Sequence, residues 1–394
     1  MLRTRGGIPM AWAPAPHQAN PFVVSGVPNY VGGRFQERQQ LSDWLLSSDR
    51  NPCLVAGVRG AGKTTLAAWV DDYLTYDHYG NFTPQHTRWI PVHARGDRND
   101  TILDQVVSSH RRTITTEVGG NLLGARAQRS ETVSISAARS LIEALPHGYV
   151  IIIDEAQALS SDQLVELADF LERPGSEYSG KVLMAGTPSL LHIHPTKGTL
   201  GLFARAPKIS LAATQSEPET RDTIIGTLSA AADHGTSDLK HFTDDAIHRL
   251  HTETRGYPTA VQVGAHYAYA AAPGDRVEAE HLDFSPWSPT GRRLIEALDQ
   301  MVRRQGTTGR PPVLRQAVIR HLATNPGAKT RHLVNALGKT DPSALNATLD
   351  YLQDAGLVAN TDGHWRLDIP LLDRYIDHII PAPHDDPTST EPTE

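Results

Sequence analysis

Between residue 51 and about residue 211, short apolar runs alternate with longer stretches whose apolar positions recur at helical spacing. The runs fall at 53–57, 89–93, 149–153, 181–185 and 208–211. A strand that is apolar at nearly every position is buried on both faces, so this alternation predicts an α/β fold, a parallel sheet with helices on both sides. From 217 to about 272 the pattern turns helical throughout. Three prolines, Pro273, Pro286 and Pro289, mark 273–291 as a linker. A compact, mainly helical unit follows. The organisation read from the pattern is an extended segment at 1–29, an α/β domain at 30–213, a helical domain at 214–272, the linker, a further unit at 292–380 and a polar tail at 381–394 expected to be disordered.

Composition changes this picture little. No apolar run approaches the roughly 20 residues of a membrane span, and Met1–Pro16 has no apolar stretch behind Arg3 and Arg5, so neither a membrane anchor nor a signal peptide is expected. Met10 is an alternative start. The chain has one cysteine, Cys53, which cannot form an internal disulfide and fits a reducing cytoplasm. Charge changes it more. The net charge is −7, yet 287–339 holds ten Lys/Arg against two acids, while 340–394 holds two arginines against eleven acids. A basic block in an acidic protein is either a footprint for DNA or an acidic partner, or a face that pairs with the acidic end of its own chain.

The first candidate chemistry is Gly57-Val58-Arg59-Gly60-Ala61-Gly62-Lys63-Thr64-Thr65. It matches G-x-x-x-x-G-K-[ST], follows a predicted strand and opens a predicted helix, the context a phosphate-binding loop requires. Its glycines let backbone N–H groups turn toward a β-phosphate at a helix N-terminus. Lys63 is expected on the β- and γ-phosphates and the Thr64 hydroxyl on Mg²⁺. A second Gly-Lys-Thr, at 338–340, lacks the upstream glycine. The run 149–153 ends in Asp154 and Glu155, two carboxylates at the edge where α/β sheets place ligands. Asp154 is expected to hold Mg²⁺ through water and Glu155 to polarise an attacking water. Thr187 ends the next strand, either as a sensor of the γ-phosphate or as a turn cap before Pro188. Arg205, just ahead of the last strand, is a candidate arginine finger for a neighbouring subunit. His192 and His194 share a strand face, but with no third ligand nearby they read as a loop pair. Asp71 and Asp72 read as a solvated helix face.

Together these elements resemble the AAA+ ATPases, and further details resemble the clade of origin-recognition, STAND signalling and transposition-helper ATPases. Tyr30-Val31-Gly32-Gly33-Arg34 followed by Glu37 is similar to that clade's F-V-G-R-x-x-E box, with one extra glycine. The resemblance implies that Val31 lies against adenine. Gly256-Tyr257-Pro258 is similar to the clade's G-x-P motif, which implies a helical lid closing over base and ribose. Arg255 stands where a second sensor is plausible. The family implies ATP with Mg²⁺ as cofactors, hydrolysis, and homo-oligomers in the ATP state. No [NT]-K-x-D occurs to read guanine.

The unit at 292–380 reads as a winged helix. A helix from Val313, a short helix from Thr330, a third from Pro342 capped by Asp341, and a hairpin turning at Asp362-Gly363 have that order. The third helix carries Asp350 and Asp354 and no Lys/Arg. DNA contacts, if made, are therefore expected from the basic block 292–339, and a protein partner at the winged helix is the alternative. The function expected is an ATP-driven switch in a DNA-associated process such as replication initiation, transposition or mobile-element defence. The rival is a STAND-type switch that binds protein. The segment 113–138 is either an insertion that contacts DNA through nearby arginines or a long loop.

Overall fold

The computed structural model describes residues 20–26, 28, 30–47, 51–75, 90–95, 149–172, 180–192, 203–233, 235–236, 238–303, 313–338 and 341–380. The lead-in before residue 20, the segment 113–138, the tail 381–394 and His194 lie outside the described residues.

All five apolar runs form strands: β1 (Cys53–Gly57), β2 (Ile90–Arg95), β3 (Tyr149–Asp154), β4 (Gly180–Gly186) and β5 (Lys208–Leu211). They make one sheet in the order β2-β3-β4-β1-β5, and every neighbouring pair is parallel. The second strand runs to Arg95, two residues past the apolar stretch that predicts it. β4 lies between β1 and β3, with Ala56 opposite Gly186 and Ile153 opposite Met184. The strand ends therefore line up, and Gly57, Thr187 and Asp154 share the carboxyl edge of the sheet. Helices α1 (Phe35–Leu46), α2 (Lys63–Thr75) and α3 (Ser161–Glu172) accompany it. Leu41, Trp44, Leu66 and Val70 of the first two pack with Val55, Val150, Leu183 and Ile209 of the strands. The buried Lys181 of β4 sends its ammonium to the carbonyls of Trp44 and Ser47, a cation on the C-terminal end of α1.

The chain from 217 to 271 forms helices α4 (Glu217–Asp233), α5 (Asp244–Thr254) and α6 (Pro258–Ala271), with a two-strand ribbon of β6 (His241–Phe242) and β7 (Arg276–Val277). Thr243 caps α5 by accepting from the Ala246 N–H, and Pro258 opens α6, where its missing N–H costs nothing. Residues 273–291 hold β7 and bury Leu282 and Phe284. The last unit contains α7 (Pro289–Arg303), α8 (Val313–Thr324), β8 (Ala328–Lys329), α9 (Thr330–Ala336), α10 (Pro342–Asp354), β9 (Val358–Thr361), β10 (His364–Leu367) and the short α11 (Ile376–Ile379). Strand β10 pairs antiparallel with both β8 and β9.

One hydrophobic core runs through the helical domain and this last unit. It joins Ile224, Ile247 and Val261 to Leu298, Leu322, Leu349 and Leu372. Phe22 of the N-terminal segment belongs to it, packed edge-on against Phe242 and Tyr269 at 5.4 and 5.9 Å between ring centres. The sheet has a separate core. No helix among the described residues is long and apolar enough to cross a membrane.

Because Leu298 is buried in the shared core, Leu298→Ala is expected to cost about 2–5 kcal/mol of unfolding free energy. Denaturant unfolding measures it, and limited proteolysis should show the helical domain and the last unit opening together.

Candidate nucleotide-binding site

The glycine-rich loop joins β1 to α2 and turns on Gly60 and Gly62, both with positive φ (75° and 95°). Five successive carbonyls of this loop are engaged by side chains. The Lys63 ammonium donates to the carbonyls of Gly57 and Val58, each at 2.9 Å. The Tyr257 hydroxyl donates to Arg59 O at 2.8 Å and the Thr259 hydroxyl to Gly60 O at 3.2 Å. The Arg34 guanidinium donates to Ala61 O at 2.9 Å and to Ala212 O at 2.7 Å. A Cβ on Gly60 would sit 2.0 Å from the Tyr257 hydroxyl oxygen, so only glycine lets α6 approach this closely.

With its carbonyls taken, the loop has its N–H groups and cations left for an anion. Lys63 has three donors and spends two on the loop, which leaves one. The Arg59 Nε is buried without a partner among the described residues. A Cβ on Gly62 would meet nothing within 4 Å, so the cradle is open there. These features fit a polyphosphate. Burial pulls the Lys63 ammonium down to about 8, against Glu155 and Asp154, which favour its charged form.

Across the sheet edge, the exposed Thr64 hydroxyl donates to Asp154 Oδ2 at 2.9 Å. This brings together the two residues expected to hold Mg²⁺, a hydroxyl and a carboxylate, both hard oxygen donors. Glu155 follows with φ 53°, a left-handed conformation that costs a non-glycine residue about 1–3 kcal/mol and is kept mainly at functional positions. Its N–H donates to Asp154 Oδ1 at 2.9 Å, and its Oε2 accepts from Gln157 Nε2 at 2.6 Å. Thr187 is buried at the end of β4; its N–H donates to Gln157 Oε1 at 3.0 Å and its hydroxyl shares a proton with that of Ser189 at 2.9 Å. Thr65 stands on α2 beside Thr64, partly buried, and Val58 and Ala61 are buried within the loop.

The box at 30–37 is wedged between the loop and α4. Asp222 accepts from the Tyr30 hydroxyl and from the Gly33 N–H, and Glu219 accepts from the Arg34 N–H. Val31 is buried, its carbonyl accepting from Arg38 at 2.8 Å. Gly256 takes φ 67° to turn the chain into α6, where Tyr257 is fully enclosed and Pro258 is the first residue. Arg255 points elsewhere: it makes a two-oxygen ion pair with Asp373 of the last unit at 2.9 and 3.0 Å. Arg205 is exposed, with no polar partner among the described residues. It lies three residues before Lys208, which pairs with Leu54 at the start of β1, so it sits at the amino edge of the sheet. The strand's length, about 13 Å at 3.3 Å per residue, separates it from its own loop.

Three contributors have no role that the sequence assigns them. Gln157 and Ser189 lie in short helical turns that no periodicity marks, and Thr259 is one turn position past the Gly-Tyr-Pro string. Burial also pushes the Cys53 thiol up to about 12, an inert apolar filler on β1. No group of three metal-ligating side chains occurs among the described residues.

Residues 46–193 match the family model described as an AAA domain. In fold, the chain is similar to the Walker-type ATPase PABY2304 of Pyrococcus abyssi, with a TM-score of 0.56, 14% identity and coverage of 88% of this chain and 96% of that one. It is similar also to the ORC2 protein of Aeropyrum pernix in ADPNP–ADP complexes, with a TM-score of 0.54, 14% identity and coverage of 90% and 94%. No curated protein sequence matches the chain. Fold and loop together are of the P-loop nucleotide-binding class. More narrowly, residues 46–193 match an AAA domain, in an α/β fold similar to that of the A. pernix ORC2 protein.

Phosphate binding favours the charged form of Lys63, and in the free protein that charge is half lost near pH about 8. Affinity for a fluorescent ATP analogue should therefore fall as pH rises above 8, by up to about tenfold per unit. A titration of Lys63→Ala over the same range should show weak binding without that slope.

Proposed function

We propose that the protein binds Mg·ATP between the α/β domain and the helical domain and hydrolyses it as a conformational switch. One observation carries the reading: Thr64 and Asp154 meet at 2.9 Å at the mouth of a loop whose carbonyls are all engaged elsewhere. In this reading Lys63 and the loop N–H groups hold the phosphates, and Thr64 with Asp154 holds Mg²⁺. The ion supplies charge neutralisation on the transferred phosphoryl group. Glu155 takes a proton from the attacking water, and Thr187 senses the γ-phosphate. Val31, Gly256, Tyr257 and Pro258 border the base and ribose. The A. pernix protein's complexes with ADPNP and ADP support an adenine nucleotide as the ligand.

Arg205, remote from its own loop, is suited to a neighbour's site, which implies a homo-oligomer in the ATP state. The C-terminal unit has the element order of a winged helix and is proposed to carry the switch to a partner. DNA, approached through the basic block, is the first partner proposed, in replication initiation, transposition or mobile-element defence. Lys329, Arg331 and Arg292 are exposed there. Arg293, Arg303 and Arg320 pair with Glu296, Asp299 and Asp377; Arg304, Arg310 and Lys339 lie outside the described residues. A protein partner, as in STAND signalling ATPases, is favoured by one feature: the third helix, α10, exposes Asp350 and has no cation.

Glu155→Gln is expected to keep ATP affinity and lose turnover by about 10²–10⁴-fold; turnover at the parent rate would remove Glu155 from the role of base. Duplex DNA should raise the parent's turnover, with an effect that fades steeply as salt rises. Turnover indifferent to DNA at low salt would instead assign the partner surface to protein.

A further inference from the structure

A chain of hydrogen bonds leads away from Glu155 and reaches the last unit of the protein. Gln157 stands at its centre, in a one-turn 3₁₀ segment (Ala156–Ala158). Its amide nitrogen donates to Glu155 Oε2 at 2.6 Å, and its amide oxygen accepts from the Thr187 N–H at 3.0 Å. An amide held at both ends has one orientation: the backbone donor fixes which end faces the carboxylate. The Thr187 hydroxyl pairs with Ser189 Oγ at 2.9 Å, and Ser189 Oγ makes a longer bond, 3.4 Å, to the carbonyl of Asp354, the last residue of α10.

A second contact brings the same two parts of the molecule together. Gly356 ends α10 with φ 69°; its N–H returns to Gln353 O and the Leu357 N–H to Leu352 O. A Cβ on Gly356 would lie 3.3 Å from Pro188 Cδ and 3.6 Å from Val58 Cα. The end of α10 thus rests on the turn after β4 and on the phosphate loop itself. Since α10 shares its core with the helical domain, whose Tyr257 and Thr259 hold the loop from the other side, a shift of that body moves both contacts.

We infer that Gln157 is a positioning residue that couples the seating of α10 on the Pro188 turn to the orientation of the Glu155 carboxylate. The inference rests on Glu155 acting as the base. With Oε2 held by Gln157, the other oxygen is left to face a water, and a fixed carboxylate is worth more to proton transfer than a mobile one. When α10 lifts from Pro188, the Ser189–Thr187 turn loses its outer support and Gln157 its fixed orientation. The Lys63 bonds to the carbonyls of Gly57 and Val58 lie within the loop's own body and hold through either state.

The test is a double-mutant cycle on the full chain, reading kcat and KM for ATP, with Lys63→Ala as the blank. Gln157→Ala should lower kcat on the order of tenfold and leave KM within about twofold. Gly356→Leu, which crowds Pro188, should lower kcat similarly in the parent and add nothing in the Gln157→Ala background. Gly363→Leu is the control. It introduces the same side chain at a comparable φ of 80° with nothing within 4 Å of its Cβ, and should leave kcat unchanged. Additive effects of Gln157→Ala and Gly356→Leu, an equal loss from Gly363→Leu, or a rise in kcat on Gln157→Ala would each overturn the coupling while leaving the ATPase reading intact. A parent with no turnover above the Lys63→Ala blank would overturn that reading, and the coupling with it.

Discussion

The site depends on one constraint: a loop that offers its N–H groups to an anion must dispose of its carbonyls. Backbone acceptors buried without partners cost as much as lost hydrogen bonds. Here five successive carbonyls are served by three different parts of the chain, Lys63 from α2, Tyr257 and Thr259 from the residue before α6 and its first turn, and Arg34 from the N-terminal box. The helical domain is thus bonded to the phosphate loop and not merely packed beside it, and Gly60 is glycine because Tyr257 needs the room.

Burying Arg34 is the most demanding part of this arrangement. It sits almost fully enclosed at φ 55°, burial works against its charge, and Glu37 and Glu219 restore it. Its two carbonyl contacts, Ala61 and Ala212, lie in the loop and just after β5. Both bonds come from one nitrogen, Nη2, while Nη1 lies 3.5 Å from the Glu37 carboxylate; a lysine could supply the charge but has no second nitrogen for that carboxylate. The backbone donors around it are met in turn by Asp222 and Glu219 of α4, so the N-terminal box, the loop and the helical domain form one polar junction.

The sheet was legible in the sequence because its strands are buried on both faces, and such strands announce themselves as apolar runs whatever their order. Strand order was less so, since nothing local says that β4 lies between β1 and β3. The placement of the loop, Asp154 and Glu155 at the carboxyl edge was legible because each directly follows an apolar strand. Gln157 was not: a glutamine two residues past a carboxylate has no periodic signature, and its value comes from a threonine N–H thirty positions away. Arg255 misled for a related reason. Its place beside the Gly-Tyr-Pro turn suggests a phosphate sensor, but its left-handed φ of 52° and the carboxylate of Asp373 turn it toward the last unit. The charge split was legible as a pattern and only partly as a partner, because Arg320 and Asp377 satisfy each other across it.

The two hydrophobic cores determine what the molecule can do mechanically. The sheet and its helices form one body; the helical domain, the buried stretch near Phe284 and the last unit form another. Within the second body the Arg255–Asp373 and Arg374–Glu253 pairs are half-exposed and individually worth little. Its continuity comes from the core and from the enclosed Tyr375, whose hydroxyl donates to Phe284 O at 2.7 Å. Among the described residues the contacts between the bodies include polar ones, the alcohols on the loop carbonyls and the Arg34 junction, and the end of α10 on Pro188. Polar contacts of this kind exchange with water at small net cost, whereas opening an apolar core does not. Relative motion is therefore cheapest along the boundary that runs past the phosphate loop, and the last unit travels with the helical domain. A ligand that binds at that boundary has leverage on the whole second body, which is the physical requirement for a switch.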